Sequence, residues 1–386
     1  MGAITWDSHD VIYHILIDRF AGFSSINHWD EPIFIGGNLK GLCKKLDYLE
    51  ELGVTALWIS PFYKTSAYHG YHITDFFEVD PHFGTKEDIQ TLIHQVHTRG
   101  MKIIADFVPN HCSRFHPFFI DAQKSKKSQY KNWFYFTKWP DEYLCFLSVT
   151  DIPKLRLDNR EVFDHILNAA LYWLSLGFDG YRLDHVIGPS HKFWRDFVSR
   201  IKKEYPSSIL IGEAWMQGIQ FHELRTIGLK GKYWRWLKGT ESDSLLSAYA
   251  TILDGVLDFR AQQLLKMFVC SSHITIDSIK ESLGSHYKRY PLNYFLPVFL
   301  DNHDMDRFLY SCNGDISLLK IAANLQFSLD QPAIIYYGTE IGMDQKESIW
   351  SRKAHGDILA RGPMRWDNQN IQLLEYYRDL IKKKTG

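Results

Sequence analysis

Hydrophobic positions along the chain follow two periods. Short apolar runs, VIYHILI at 11–17, VTALWI at 54–59 and KIIADF at 102–107, read as strands. Between them, NLKGLCKKLDYLEEL at 38–52 puts Leu39, Leu42, Leu46, Leu49 and Leu52 at helical spacing, with Gly53 as a C-terminal cap. Thr85, with Asp88 three residues on, opens a second helix that ends at Gly100. The rhythm breaks over 108–158, which is rich in aromatic and turn residues and shows no long helical pattern. It resumes with a helix predicted at 161–176 and a strand at Gly180–Asp184. A helix capped by Ser190 and a fifth strand at Ser208–Glu213 come next. After a second irregular stretch, 216–254, the pattern predicts a sixth strand at Gly255–Phe259 and a helical region from 260 to about 285. A seventh strand at Phe295–Leu300 contains Pro297, so it cannot be fully paired there. A helix at Ser317–Leu329, an eighth strand at Ala333–Tyr337 and a helix at 371–384 complete the pattern.

Alternating strands and helices imply parallel pairing with helical crossovers. Eight strands, each followed by a helix, specify an α/β chain folded as a (β/α)8 TIM barrel. The expected organisation is a barrel from 1–107 and 159–386, with 108–158 as a small domain inserted after the third strand. A Gly-x-Gly-x-x-Gly turn, which would favour a doubly wound sheet, is absent.

Barrel enzymes carry their sites at the C-terminal ends of the strands. The third strand runs into Asp106-Phe107-Val108-Pro109-Asn110-His111, and the fourth ends in Arg182-Leu183-Asp184. The fifth ends in Gly212-Glu213-Ala214-Trp215, and the seventh in Asp301-Asn302-His303-Asp304. Arg182 and Asp184 point to the same side of their strand, because side chains alternate with period two. One strand ending in a carboxylate means little. Four of them on one rim would raise one another's pKa, and a fold bears that cost where chemistry needs it. Converging carboxylates suit glycoside hydrolysis, one as an acid and one as a nucleophile. A metal-assisted hydrolase is the rival, although His-x-His and His-Glu-x-x-His are absent.

Composition narrows the partners. The 386 residues carry a net charge of −1, which gives no basic excess for nucleic acid. Aromatics reach 15%, and rings with an apolar face and a polar edge suit sugars. Five scattered cysteines without metal spacing read as reduced thiols. No apolar stretch approaches a membrane span, and the N-terminus shows no signal-peptide pattern. A cytoplasmic setting is expected.

The chain resembles the alpha-amylase family of glycoside hydrolases over nearly its whole length. Four strand-end motifs carry the resemblance in order: DFVPNH at 106–111, GYRLDH at 180–185, GEAW at 212–215 and FLDNHD at 299–304. Ile152-Pro153-Lys154-Leu155 is similar to a motif of the neopullulanase and cyclomaltodextrinase branch. The resemblance implies Asp184 as nucleophile, Glu213 as general acid/base and Asp304 as a third carboxylate that binds sugar hydroxyls. It implies Arg182 as the arginine that holds the nucleophile ionised, His111 and His303 as sugar-binding histidines, and Tyr71 as a stacking tyrosine. Asp106 and Asn110 are expected to organise loops.

The implied activity is retaining hydrolysis of α-glucosidic bonds, mainly α-1,4, in starch-derived glucans, maltodextrins or cyclodextrins. A transglycosylase, α-glucosidase or sugar isomerase of the same family shares these residues, and a non-catalytic sugar-binding relative is a further alternative. No cofactor is required. Calcium is a candidate because Asn110 matches a calcium ligand of many amylases, but its partners within 108–158 are not identifiable from the sequence. Two departures stand out. Ile187 and Gly188 replace a Lys-His pair that contacts the leaving-side sugar. The chain also starts almost at the first strand and stops at Gly386, without the β-sandwich domains of that branch. It is therefore expected to be a minimal or a truncated barrel, and the oligomeric state stays open.

Overall fold

A computed structural model describes residues 5–23, 25–147, 149–215, 243–271, 273–351 and 356–386. Most of the second irregular stretch, 216–242, lies outside the described residues. The chain divides into two compact units. One comprises Met1–Ser60, His82–Ile104 and Leu257–Gly386, and the other Pro61–Pro81 and Ala105–Val256.

In the first unit, strand β1 (Val11–Ile15) pairs in parallel with β2 (Ala56–Ile59) on one side and with Ala333–Tyr336 on the other. The latter pairs in turn with Val298–Phe299. All four strands are buried along their length. That accounts for their near-continuous apolar sequences, since a parallel strand is covered on both faces. In the second unit, the end of β3 (Lys102–Phe107) pairs with β4 (Gly180–Leu183). Strand β4 pairs with β5 (Ile209–Gly212), which pairs with β6 (Gly255–Val256). With β7 (Val298–Phe299) and β8 (Ala333–Tyr336), the chain has the eight parallel strands of a (β/α)8 TIM barrel.

Capping fixes the helices between them. Thr85 and Asp88 form the expected capping box of Lys86–Thr98, and Ser190 Oγ accepts from Phe193 N at the start of His191–Glu204. Gly53 ends its helix at φ 90°, as the sequence predicts. Arg160–Ser175 and Ile371–Thr385 lie within a residue or so of expectation. No helix among the described residues is long and apolar enough to cross a membrane.

Several elements differ from expectation. The helix expected at 38–52 is two helices, Leu39–Cys43 and Leu46–Leu52, separated at Lys44-Lys45. All five leucines are still buried, so the spacing reports burial but not continuity. Strands β6 and β7 are shorter than predicted. Pro297 has no N–H for the ladder, and Asp258 leaves β6 to cap Phe259–Cys270, accepting from Ala261 N at 2.8 Å. Tyr63–Thr65 and Ile73–Val79 form an antiparallel hairpin that the pattern did not reveal.

Among its described residues, the segment 108–158 contains the α-helix Pro117–Lys124, a 3-10 turn at Lys131–Trp133 and two small hairpins. An aromatic cluster holds them. The Phe119 ring lies 4.8 Å from both Phe134 and Tyr143. Bridges from His111 to Lys154 and from Phe134 to Leu155 tie its ends together.

Candidate active site

The second unit gathers three carboxylates around one arginine. Register explains how. Arg182 lies opposite Asp106 of β3 and Ile211 of β5, and Leu183 lies opposite Gly212. One rung further puts Asp184 beside Glu213, at the ~4.8 Å spacing of neighbouring strands and on the same face. Arg182 is fully buried and reaches all three acids. Its Nη1 donates to Asp106 Oδ1 and Oδ2 at 2.9 and 3.0 Å and to Asp184 Oδ1 at 2.9 Å. Its Nη2 contacts Glu213 Oε1. Burial works against the guanidinium charge, but Asp106, Glu213, Tyr71 and Asp184 outweigh it and raise its pKa.

The three acids differ in access. Asp106 is 0% exposed, whereas Asp184 and Glu213 are 6% and 7% exposed. Asp106 is sealed from above by Tyr71, whose hydroxyl donates to Asp106 Oδ2 at 2.7 Å. The Tyr71 position depends on Gly70, at φ 88°. A Cβ there would sit 2.0 Å from the Pro61 carbonyl oxygen. Glu213 Oε2 accepts from His185 N at 3.1 Å, and Glu213 O accepts from Val186 N at 3.0 Å. The turn after Asp184 is thus tied to Glu213.

His111 lies one step beyond this cluster, and the Phe146 ring approaches both it and His185. The Phe146 ring is 4.8 Å from His111 and 4.5 Å from His185. Burial pushes His111 down to about 3, with His72 and Lys154 adding to the effect. Burial likewise drives His185 well below its ordinary range. Both are neutral imidazoles near pH 7.

The first unit holds His303 and Asp304. Asp304 Oδ1 accepts from Arg361 Nη2 at 2.8 Å, and its Oδ2 lies 3.0 Å from His303 Nε2. Arg361 Nε also donates to the His303 carbonyl at 2.8 Å, and its Nη2 contacts Asp357. Behind His303, His14 stacks on Trp58 at 3.6 Å and meets His303 edge-on at 5.0 Å. Asp301, two residues before His303, has a different role. It is buried and accepts from Phe308 N and Thr339 Oγ1.

The structure therefore brings Arg182, Asp184, Glu213 and Tyr71 into one cluster, and His303 and Asp304 into another. Sequence reasoning assigned Asp106 to loop organisation, but it is the most buried acid on Arg182. It missed Arg361, which lies on a 3-10 turn at Gly356–Arg361 and far from any strand end. Among the described residues, no group of three His, Cys, Asp or Glu is placed to hold a metal ion.

The family description "Alpha amylase, catalytic domain" matches residues 14–374. The chain belongs to the alpha-amylase family. It is 36% identical to "Alpha-amylase 2" of Dictyoglomus thermophilum over 98% of its own length and 63% of that protein. It is 32% identical to "Neopullulanase 2" of Thermoactinomyces vulgaris, covering 98% of this chain and 63% of the relative. The chain thus spans less than two thirds of these curated relatives. Among solved structures, it superposes on a cyclic α-maltosyl-(1→6)-maltose hydrolase from Arthrobacter globiformis. The TM-score is 0.84 at 27% identity, covering 100% of this chain and 84% of that one. Of these relatives, the neopullulanase carries the name of the branch expected from Ile152–Leu155.

Proposed function

We propose that this chain is a retaining glycoside hydrolase that cleaves α-glucosidic bonds, mainly α-1,4, in maltodextrins and cyclodextrins. The observation that carries this is Arg182 joining Asp184 to Glu213 on adjacent, in-register strands. Two carboxyl groups supported this closely suit the ~5–5.5 Å separation of retaining enzymes.

Glu213 protonates the glycosidic oxygen while Asp184 attacks the anomeric carbon, forming a covalent glycosyl-enzyme. Glu213 then takes a proton from water, which releases the sugar with net retention. Arg182 and the His185 N–H fix both groups before substrate arrives, so little reorganisation is left for the reaction itself. Asp304, oriented by Arg361 and His303, binds sugar hydroxyls as the third carboxylate. His111, neutral and buried, hydrogen-bonds the sugar on the cleaved side, as does His303. Tyr71 offers its ring to the sugar while its hydroxyl stays on Asp106. Five free thiols agree with a cytoplasmic setting.

The test is incubation with soluble starch, cyclodextrin, pullulan and maltotriose, with product analysis. Hydrolysis of maltodextrin or cyclodextrin is expected, and turnover of none of the four would refute the proposal. Asp184→Asn should lower kcat by about 10⁴-fold or more while the far-UV spectrum shows that the fold is kept. Substantial residual turnover would remove Asp184 from the nucleophile role.

A further inference from the structure

Lys154 is a buried cation that the proposed reaction does not use. It is 6% exposed and has no ion-pair partner among the described residues. Buried ammonium groups are costly unless something requires them. Burial brings this one down to about 8, with Asp158 acting against that fall. Asp158 is itself held by the Tyr135 hydroxyl at 2.8 Å and by Arg156 at 3.4 Å.

The place of Lys154 shows what the charge does. Its backbone is bridged to His111, and the flanking bonds Leu155 N to Asn110 O (3.0 Å) and Cys112 N to Pro153 O (3.2 Å) fasten it to the segment after β3. Its Nζ crosses to the segment after β4 and donates to the Gly188 carbonyl at 2.9 Å. That carbonyl ends the turn that starts at Asp184. The turn is strained, with His185 at φ 46°, and closes with Gly188 N on His185 O at 3.0 Å. Gly188 has no room for a side chain: a Cβ would lie 2.3 Å from Asn110 Oδ1 and 2.7 Å from His185 Cδ2.

Asn110 Oδ1 is buried and has no hydrogen-bond partner among the described residues. Alone, it suits a cation. Yet calcium takes about six to eight oxygen ligands, with carboxylates prominent among them. Here, among the described residues, no group of three His, Cys, Asp or Glu is placed to hold a metal ion, and the Gly188 carbonyl already accepts from an ammonium. The neighbouring His111 and His185 are neutral and cannot offset a further charge. A divalent ion would face Lys154 at close range in a low-dielectric site. The residues present do not fit calcium.

We propose that the Lys154 ammonium is the resident cation of this site and positions the Asp184–Gly188 turn without a divalent metal ion. It ties the ends of β3 and β4 together. Through His185 N and Val186 N, the same turn also fixes Glu213. Lys154 is thus a positioning residue for both carboxylates. Only the kinetic arm of the following test rests on the proposed hydrolysis.

The full chain is melted in EDTA, in millimolar calcium chloride and in millimolar magnesium chloride. The expected melting temperatures agree within about 1 °C, since a ligand that binds only the folded state would raise them. A rise of several degrees in calcium, or a fall in EDTA, overturns the proposal whether or not the chain turns over any substrate. Lys154→Met should lower kcat on maltodextrin about 10- to 100-fold, with KM changed less than about 3-fold and no recovery in calcium. A kcat within about 3-fold of wild type overturns it. If Lys154→Met fails to fold, the melting comparison on the unaltered chain decides.

Discussion

The carboxylates on Arg182 and Asp304 on Arg361 are supported in different ways. Around Arg182, three acids and the arginine come from the ends of three adjacent strands, and the register of the sheet alone sets their spacing. Around Arg361, Asp304 lies on the loop after β7, while the arginine and its second acid, Asp357, lie on a 3-10 turn more than fifty residues later. The first cluster is nearly sealed, while the Asp304 side chain keeps 28% of its surface. A sealed charge cluster ties catalytic geometry to stability. A half-open one separates them, because water can take over a lost partner.

The sharpest way to break this contrast is Arg182→Met. It strands buried carboxylates without their cation, and about 3–5 kcal/mol of unfolding free energy should be lost. Urea denaturation reads this directly, and a loss below about 1 kcal/mol would mean that the acids do not depend on Arg182. Arg361→Met should act on function instead. With Asp304 left to His303, kcat/KM should fall about 10- to 100-fold, while stability drops by only about 1 kcal/mol. Equal destabilisation by the two variants would erase the distinction between the clusters.

These expectations follow the same line that separates legible from illegible parts of the sequence. Asp184, Glu213 and their common arginine could be read because period-two alternation and strand ends are visible in a linear chain. The eight-strand rhythm was visible for the same reason. Arg361 was not, because its partner is reached through loops whose paths no periodicity encodes. Asp106 was seen but undervalued. The sequence shows it at a strand end, but only the register places it opposite Arg182. The hairpin that carries Tyr71 was hidden in a stretch where short strands and turn residues alternate too quickly for a period to emerge. The break at Lys44-Lys45 stayed hidden because both helices bury their leucines at the same spacing.

A smaller effect concerns acid. His111 stands at about 3 in the folded chain against an ordinary 6.5, so the unfolded chain binds more protons between those values. The stability this histidine contributes is present above pH 6.5 and is lost as pH falls toward 3. His116 is lowered to the same range, also mainly by burial, and adds to the trend. Urea midpoints should therefore fall on acidification through this window, and less steeply in His111→Gln. An unchanged slope would show that His111 charges as freely in the folded chain as in the unfolded one.

The central claim is that Asp184 and Glu213 act as a close pair on adjacent strands, one as nucleophile and one as acid/base. Proton NMR of the first sugar released from maltotriose or cyclodextrin, recorded before mutarotation, tests it most directly. The account predicts the α-anomer, because two displacements at the anomeric carbon restore its configuration. A β-anomer as first product would mean direct attack by water, and would contradict the assignment of Asp184.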